Sequence, residues 1–212
     1  MARPSVSTEV ILDAAAEAFS AHGTRRTTME DVALRAGVAK GVLYLRFDSK
    51  ESLARAVVDR EMALALATSR AEVAADPRGG LLSRLFVHSL TALHTRPFLI
   101  ALYKGEVGPG GRPSDQESQY RDRLPISTDF VRRMRDAGMV RADLEPGPLA
   151  ANLAVWNVGL ALTAPHEDPG ALILGMGELV ARAADADVTD TTPGKECFAR
   201  LADDLEALWS RP

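Results

Sequence analysis

Positions 37–50 read GVAKGVLYLRFDSK, which sets Lys40, Tyr44, Arg46 and Lys50 around a glycine, Gly41, at helical spacing. Lysine and arginine neutralise phosphates, a tyrosine hydroxyl bonds one, and an arginine fork reads a guanine edge. Gly41 costs a short helix about 1 kcal/mol relative to alanine, and Ala39 stands where a capping Ser or Asn is expected. Helix stability therefore does not account for the segment. A residue without a side chain does let a helix backbone come close to base edges. Lys50 adds a separate clue: a cation in the first turn of a helix opposes the macrodipole unless an anion, such as a DNA phosphate, sits there too. Spacing alone leaves open that these are solvated charges around a half-buried tyrosine.

The elements that must hold these residues are helices. A first is predicted over 8–21, with Ile11, Ala15, Ala18 and Phe19 inward and His22-Gly23 as its stop. A second starts at Thr27 or Thr28, since Thr27-x-x-Glu30 and Thr28-x-x-Asp31 both have capping-box spacing, and ends at Ala36-Gly37. The third is the opening segment, and two short helices joined by a glycine have the dimensions of a helix-turn-helix. In that arrangement Val38, Leu43 and Phe47 pack on Ile11, Phe19, Val32 and Ala33. Lys40, Gly41, Val42, Leu45 and Arg46 face outward, Tyr44 lies at the edge, and Arg25 and Arg26 stand just before the second helix. A fourth helix runs unbroken from 48 or 49 to about 75, long enough to join two domains.

Periodicity is helical nearly everywhere, so the fold class is all-α. The 212 residues carry a net charge of -4, which alone argues against a nucleic-acid binder. The charge is uneven: residues 1–60 hold nine Lys or Arg against eight Asp or Glu, so only this quarter can approach a polyanion. Cys197 is the single cysteine, which excludes an internal disulfide and points to a reducing compartment. The opening MARPSVSTEV lacks a signal-peptide pattern, and the expected location is cytoplasmic. Residues 146–166 contain no Asp, Glu, Lys or Arg, but the apolar part is shorter than the roughly 20 residues a bilayer needs and carries Asn152 and Asn157. A buried helix is expected there and no membrane partner.

Residues 10–57 resemble the DNA-binding domain of the tetracycline-repressor (TetR) family. The resemblance rests on Ala15 and Phe19, Gly23, Thr28, Val32-Ala33, Gly37-Val38, the run Lys40-Gly41-Val42-Leu43-Tyr44, Phe47, and Lys50-Glu51-x-Leu53. It implies a homodimeric transcription factor whose third helix reads bases, whose Tyr44 and Lys50 hold phosphates, and whose C-terminal domain senses a ligand. The expected DNA-binding set is Arg25, Arg26, Thr28, Lys40, Gly41, Val42, Tyr44, Leu45, Arg46 and Lys50. The family usually has Ser at the position of Ala39 and Thr at that of Val42. Val42 is suited instead to a thymine methyl, and Arg46 to guanine.

The domain boundaries follow as 1–50 for DNA binding and 51–212 for ligand binding and dimerisation. In the second part, helices are predicted over about 80–94, 96–106, 115–137 with a kink at Pro125, 147–164, 169–185 and 193–209. Helix 147–164 is apolar on two faces: Leu149, Leu153, Trp156 and Leu160 on one, Ala151, Val155, Val158 and Leu162 on the other. The last helix has a single stripe of Phe198, Leu201, Leu205 and Leu208. Pairing these two helices across a two-fold axis, as in the family, makes Leu149, Leu153, Val155, Leu162, Phe198, Leu201, Leu205 and Leu208 the expected dimer interface, and isologous pairing suits a palindromic operator. A mostly apolar small-molecule inducer is expected among Phe86, Leu90, Phe98, Tyr103, Phe130, Met134, Trp156 and Asn157.

No catalytic residue, cofactor or metal site is expected. His88 and His94 are six apart and lack an acidic or Cys partner, and the glycine-rich 105–114 loop lacks the ending of a phosphate loop and reads as a flexible connection. The sequence therefore points to a ligand-responsive repressor. An activator of the same architecture and an enzyme with an incidental helix-turn-helix are the alternatives.

Overall fold

The computed structural model describes residues 7–108, 113–163 and 168–209, with only the backbone at 113–120 and 209. The described residues form α1 (Thr8–His22), α2 (Met29–Arg35), α3 (Lys40–Tyr44), α4 (Lys50–Ala75), α5 (Leu82–His94), α6 (Pro97–Tyr103), α7 (Pro113–Asp136), α8 (Pro146–Thr163), α9 (Pro169–Ala183) and α10 (Thr192–Trp209). Among them there is no strand, only one bridge between Val140 and Asp185. The all-α expectation holds, and each predicted helix is present with ends shifted by a few residues. No single described helix is long and apolar enough to cross a membrane. The chain divides into two compact units, 1–62 with 97–116, and 63–96 with 117–212. This division differs from a boundary at residue 50: α4 runs through both units, and α6 returns to the first.

In the first unit α1 packs on α2 and α6, and α2 on α3. Ser7 caps α1, its hydroxyl oxygen accepting from the Val10 N–H. Gly23, at φ 76°, ends the helix by donating to the Phe19 carbonyl at 2.7 Å. Two threonines with the same apparent capping spacing have separate roles. Thr28 and Asp31 form the reciprocal cap of α2, whereas Thr27 is buried and its hydroxyl contacts the carbonyls of Ala18 and Gly23 at 3.2 and 2.9 Å. Bonds from the Thr28 N–H and hydroxyl hold the Asp31 carboxyl below its usual range. Ile11, Phe19, Val32, Leu43, Leu53 and Val57 are all but inaccessible and form the buried heart of this unit.

A buried cation reinforces it. The Arg60 guanidinium donates to Asp13 at 2.6 Å, to the Glu9 carbonyl at 3.3 Å and to Glu61 at 2.7 Å, tying α4 to α1. Burial alone would lower the Arg60 pKa, but Glu61 and Asp13 outweigh it and leave the group more basic than usual. The 105–114 loop is anchored at one end: Val107 is buried and the Gly108 N–H donates to Thr24 Oγ1 at 3.1 Å. Residues 109–112 of that loop lie outside the described residues.

In the second unit α5 and α9 make the most extensive helix pair, at close range because Gly177 has no side chain. A Cβ there would lie 2.4 Å from Val87 Cγ2. The main core gathers Leu66 and Val73 of α4, Leu82 and Leu85 of α5, Phe130 and Met134 of α7, Val180 of α9, and Phe198 and Ala202 of α10. Gly138, at φ 74°, closes α7 with the Met139 N–H reaching the Met134 carbonyl and the Gly138 N–H that of Arg135. Asp168 caps α9 ahead of Pro169, as its sequence position predicts.

The start of α5 has no cap of its own, since Leu81 occupies the N-cap. Asp185, which follows α9, supplies one by accepting from the Ser83 N–H at 3.1 Å and from the Ser83 hydroxyl. Burial nevertheless pushes the Asp185 carboxyl above its ordinary pKa. Asp76, after α4, accepts from the Arg78 N–H at 2.9 Å, Arg84 Nε at 2.6 Å and, at 2.9 Å, faces His88 Nε2. Burial acts to raise its pKa, but these bonds win and hold it at about 2.

Two stability predictions follow from these contacts. Asp185→Ala strips the α5 cap and should lower unfolding free energy by about 1–2 kcal/mol, read by urea denaturation. Asp76 has a folded pKa of about 2, below the 3.8 of an unperturbed aspartate, so its contribution is present above about pH 4 and fades as pH falls toward 2. Asp76→Asn should therefore flatten the acid side of the stability profile, and an unchanged profile would show that these bonds contribute nothing.

Candidate nucleic-acid interface

The turn that sets α3 against α2 is closed by two backbone bonds. Gly37, at φ 68°, donates to the Leu34 carbonyl at 3.2 Å, and Val38 donates to that of Ala33 at 3.0 Å. A Cβ at Gly37 would meet nothing within 4 Å, so glycine is required by the dihedral and not by space. Beyond the turn α3 is five residues long, and its N-cap Ala39 makes no side-chain bond. Isolated helices of this length do not form in water, so α3 is held by burial of Leu43, which is 0% exposed.

Around Leu43, the segment 40–46 is turned mostly outward. Lys40, Gly41, Tyr44, Leu45 and Arg46 are exposed and Val42 is half-buried, with Leu45 at 86% and Tyr44 at 45%. A Cβ on Gly41 would meet nothing within 4 Å, so nothing inside the fold requires a glycine there. Lys40 reaches Glu30 of α2 at 3.5 Å, with both side chains largely exposed. Arg46 Nη1 donates to Thr8 Oγ1 at 3.1 Å.

Lys50 begins α4, whose first turn is closed by reciprocal bonds between Ser49 and Ser52. Its ammonium donates to the carbonyls of Arg25 at 3.3 Å and Thr27 at 3.1 Å. The cation therefore has partners within the protein, which the macrodipole argument from sequence did not foresee, and it fastens α4 to the turn before α2. That bond brings Arg25 and Arg26, both exposed, beside Lys50. Arg26 Nε donates to the His22 carbonyl at 3.0 Å, and the Thr28 hydroxyl is occupied by the α2 cap.

The residues expected around a ligand are divided between the two units. Phe98 and Tyr103 lie on α6 in the first unit. In the second, Phe130 and Met134 are core residues with Phe86 and Trp156 packed against them, while Leu90 sits in a smaller cluster with Leu160 and Ile173. The Phe86 and Trp156 rings are 6.2 Å apart, and Asn157 faces His94, a neighbour the sequence reading had set aside.

The residues expected at a dimer interface also separate. Leu149, Leu153 and Leu201 pack against the main core, Phe198 is 4% exposed within it, and Leu205 and Leu208 are half-buried. The first half of the α10 stripe is thus turned inward. The second face of α8 is open, with Val155 at 60% and Leu162 at 57% exposure. It is accompanied by Leu174 and Leu179 of α9, similarly exposed, which sequence reading missed although helix 169–183 is apolar almost all round.

Residues 11–57 match the family described as bacterial regulatory proteins, tetR family. The chain is 43% identical over 51 residues to the A-factor receptor protein of Streptomyces griseus, covering 24% of this chain and 18% of that protein. It is 35% identical over 99 residues to the HTH-type transcriptional repressor KstR2 of Rhodococcus jostii (strain RHA1), covering 46% of this chain and 48% of the other. Each match therefore spans less than half of the relative's length. In fold the chain is similar to SmeT, the repressor of the Stenotrophomonas maltophilia multidrug efflux pump SmeDEF, with a TM-score of 0.68 and 24% identity over 89% of this chain and 95% of that one. Residues 11–57 thus match the tetR family of bacterial regulatory proteins, and the fold of the whole chain is similar to that of SmeT.

Proposed function

We propose that the protein is a cytoplasmic, ligand-responsive transcriptional repressor that binds a palindromic double-stranded operator as a homodimer. The observation that carries this reading is α3: a short helix without a side-chain cap, held through Leu43, which turns Gly41, Lys40 and Tyr44 outward with Leu45 and Arg46 exposed just beyond its end. With α3 in a major groove, Gly41 lets the backbone approach base edges, Val42 and Leu45 suit thymine methyls, and Arg46 suits guanine. Tyr44, Arg25, Arg26 and Lys50 suit phosphates. The exposed Lys40–Glu30 pair is worth about 0–1 kcal/mol, little enough to yield to DNA. KstR2 and SmeT are named as repressors and the A-factor receptor as a receptor, which supports repression and ligand response here.

The homodimer reading rests on the open faces of α8 and α9. Leu160 of α8 and Ile173 of α9 share one apolar cluster, so these helices are neighbours, and their outer sides carry Val155, Leu162, Leu174 and Leu179. Four exposed large apolar residues on adjacent helices are what an isologous pairing would cover. The inward placement of Phe198 and Leu201 on α10 favours α9 over α10 as the companion of α8 in this surface. An apolar inducer held in the second unit near Phe86, Trp156 and Asn157 would act through α4, which both units share. For near-complete release it must bind the two states unequally by about 5 kcal/mol.

Selection of bound duplexes from a random pool tests the reading directly. An inverted repeat is the expected result, and a pool without enrichment overturns the proposal. Gly41→Ala should stabilise the protein by up to about 1 kcal/mol yet weaken operator binding, since the added methyl meets only the DNA. Lys50→Ala should lower the slope of log affinity against log salt by about one unit on every duplex, and Arg46→Ala should change base preference instead. An unaltered slope removes Lys50 from the phosphate contacts. Val155→Glu with Leu162→Glu should yield monomers in analytical ultracentrifugation. Phe198→Ala should leave association intact while costing about 3–5 kcal/mol of stability.

A further inference from the structure

His94 closes α5 and Asn157 lies within α8, and the two side chains face each other. Both His94 ring nitrogens and Asn157 Oδ1 are buried without a partner at full hydrogen-bonding geometry, although the Asn157 amide lies close enough to the imidazole to favour its charged form. Native proteins rarely leave buried polar atoms unmet, because each has given up water for nothing. Even where the amide oxygen meets one ring nitrogen, the other nitrogen has no partner, so unmet capacity from two helices gathers at one place.

The surroundings define what could meet it. Leu90, one turn before His94, and Leu160, one turn after Asn157, belong to the same apolar cluster, and the Phe86–Trp156 ring contact adjoins it through Phe86. Burial pushes the His94 pKa below its ordinary value, with only the Asn157 amide acting against it and no charge contributing. A neutral imidazole offers one N–H donor and one bare nitrogen acceptor, and Asn157 Oδ1 is a second acceptor. A hydroxyl both donates and accepts, so a single O–H satisfies the ring N–H and one acceptor at once. A carboxylate can only accept, and it would bring a charge to an apolar site.

We propose that His94 and Asn157 are the polar anchor for an uncharged, mostly apolar ligand that carries a hydroxyl group. This specifies the chemistry of the inducer and rests on the ligand-responsive reading above. The anchor gives orientation, and the apolar clusters around it give contact area, the usual division in small-molecule sites.

The test uses the full-length protein with Trp209→Phe, which leaves Trp156 as the fluorescent reporter. It is titrated with 1-octanol, 1-chlorooctane and octanoate, three chains that differ at the head group. The expected result is 1-octanol binding at least about tenfold tighter than 1-chlorooctane, a single well-made hydrogen bond. His94→Leu and Asn157→Leu should each abolish that preference, keep 1-chlorooctane binding, and leave the thermal midpoint unchanged or raised. A midpoint that drops with the preference intact identifies a structural pair and overturns the anchor. Equal binding of the two neutral probes to the otherwise unaltered protein overturns the anchor while leaving an apolar inducer site in place, and needs no variant to fold. Preference for octanoate overturns the uncharged class. Saturable binding of none of the three overturns both the anchor and the apolar inducer site.

Discussion

With φ at 68°, Gly37 lets α2 end and α3 begin within a few residues, because the Val38 and Gly37 N–H groups fold back onto the Ala33 and Leu34 carbonyls. Any side chain at that dihedral is strained, and a longer turn would carry Leu43 out of the core. Leu43 is the residue through which α3 is held, so the angle at which the exposed face of α3 is presented follows from this turn and one buried leucine. Neither the length of α3 nor its Ala39 cap contributes stability of its own.

The same unit shows how a cation at a candidate phosphate site can be retained when no phosphate is near. Lys50 opposes the dipole of α4, yet its ammonium has two carbonyl partners in the turn before α2. An ammonium carries three donors, so those bonds and an external anion are compatible. The bonds also hold Arg25, Arg26 and the start of α4 together, so a positively charged edge is assembled before any polyanion arrives. Arg60 does the corresponding work on the opposite stretch of α1, where its carboxylate partners make it internal.

In the second unit, close packing and open surface have a common origin. Gly177 lets α9 lie against Val87 of α5, and Asp185 ties the end of α9 to the start of α5. With the buried side of α9 committed to α5 and the first half of the α10 stripe committed to the main core, the large apolar residues left most exposed are on the outer sides of α8 and α9. Ion pairs from Arg70 to Asp203 and from Arg133 to Asp204 hold α10 from its polar side. His94 and Asn157 face each other in this unit, with both ring nitrogens and the amide oxygen buried short of full hydrogen-bonding geometry.

Helical class, the number and approximate ends of the helices, and the stops at Gly23, Gly37 and Gly138 were legible in the sequence because they are set by local terms: side-chain periodicity, capping and the dihedral freedom of glycine. The inward position of Leu43 and outward position of Leu45 followed from the same periodicity. What only the tertiary structure decided is which distant surface covers each face. Thr27 and Thr28 have the same capping spacing, and contact with the Ala18 carbonyl separates them. An amphipathic stripe on α10 shows that something must cover it but not whether that is the chain's own core or a second copy. The return of α6 to the first unit, the carbonyl partners of Lys50 and the meeting of His94 with Asn157 are equally invisible in sequence. Each joins residues far apart along the chain, and periodicity carries no information about a partner beyond the helix that bears it.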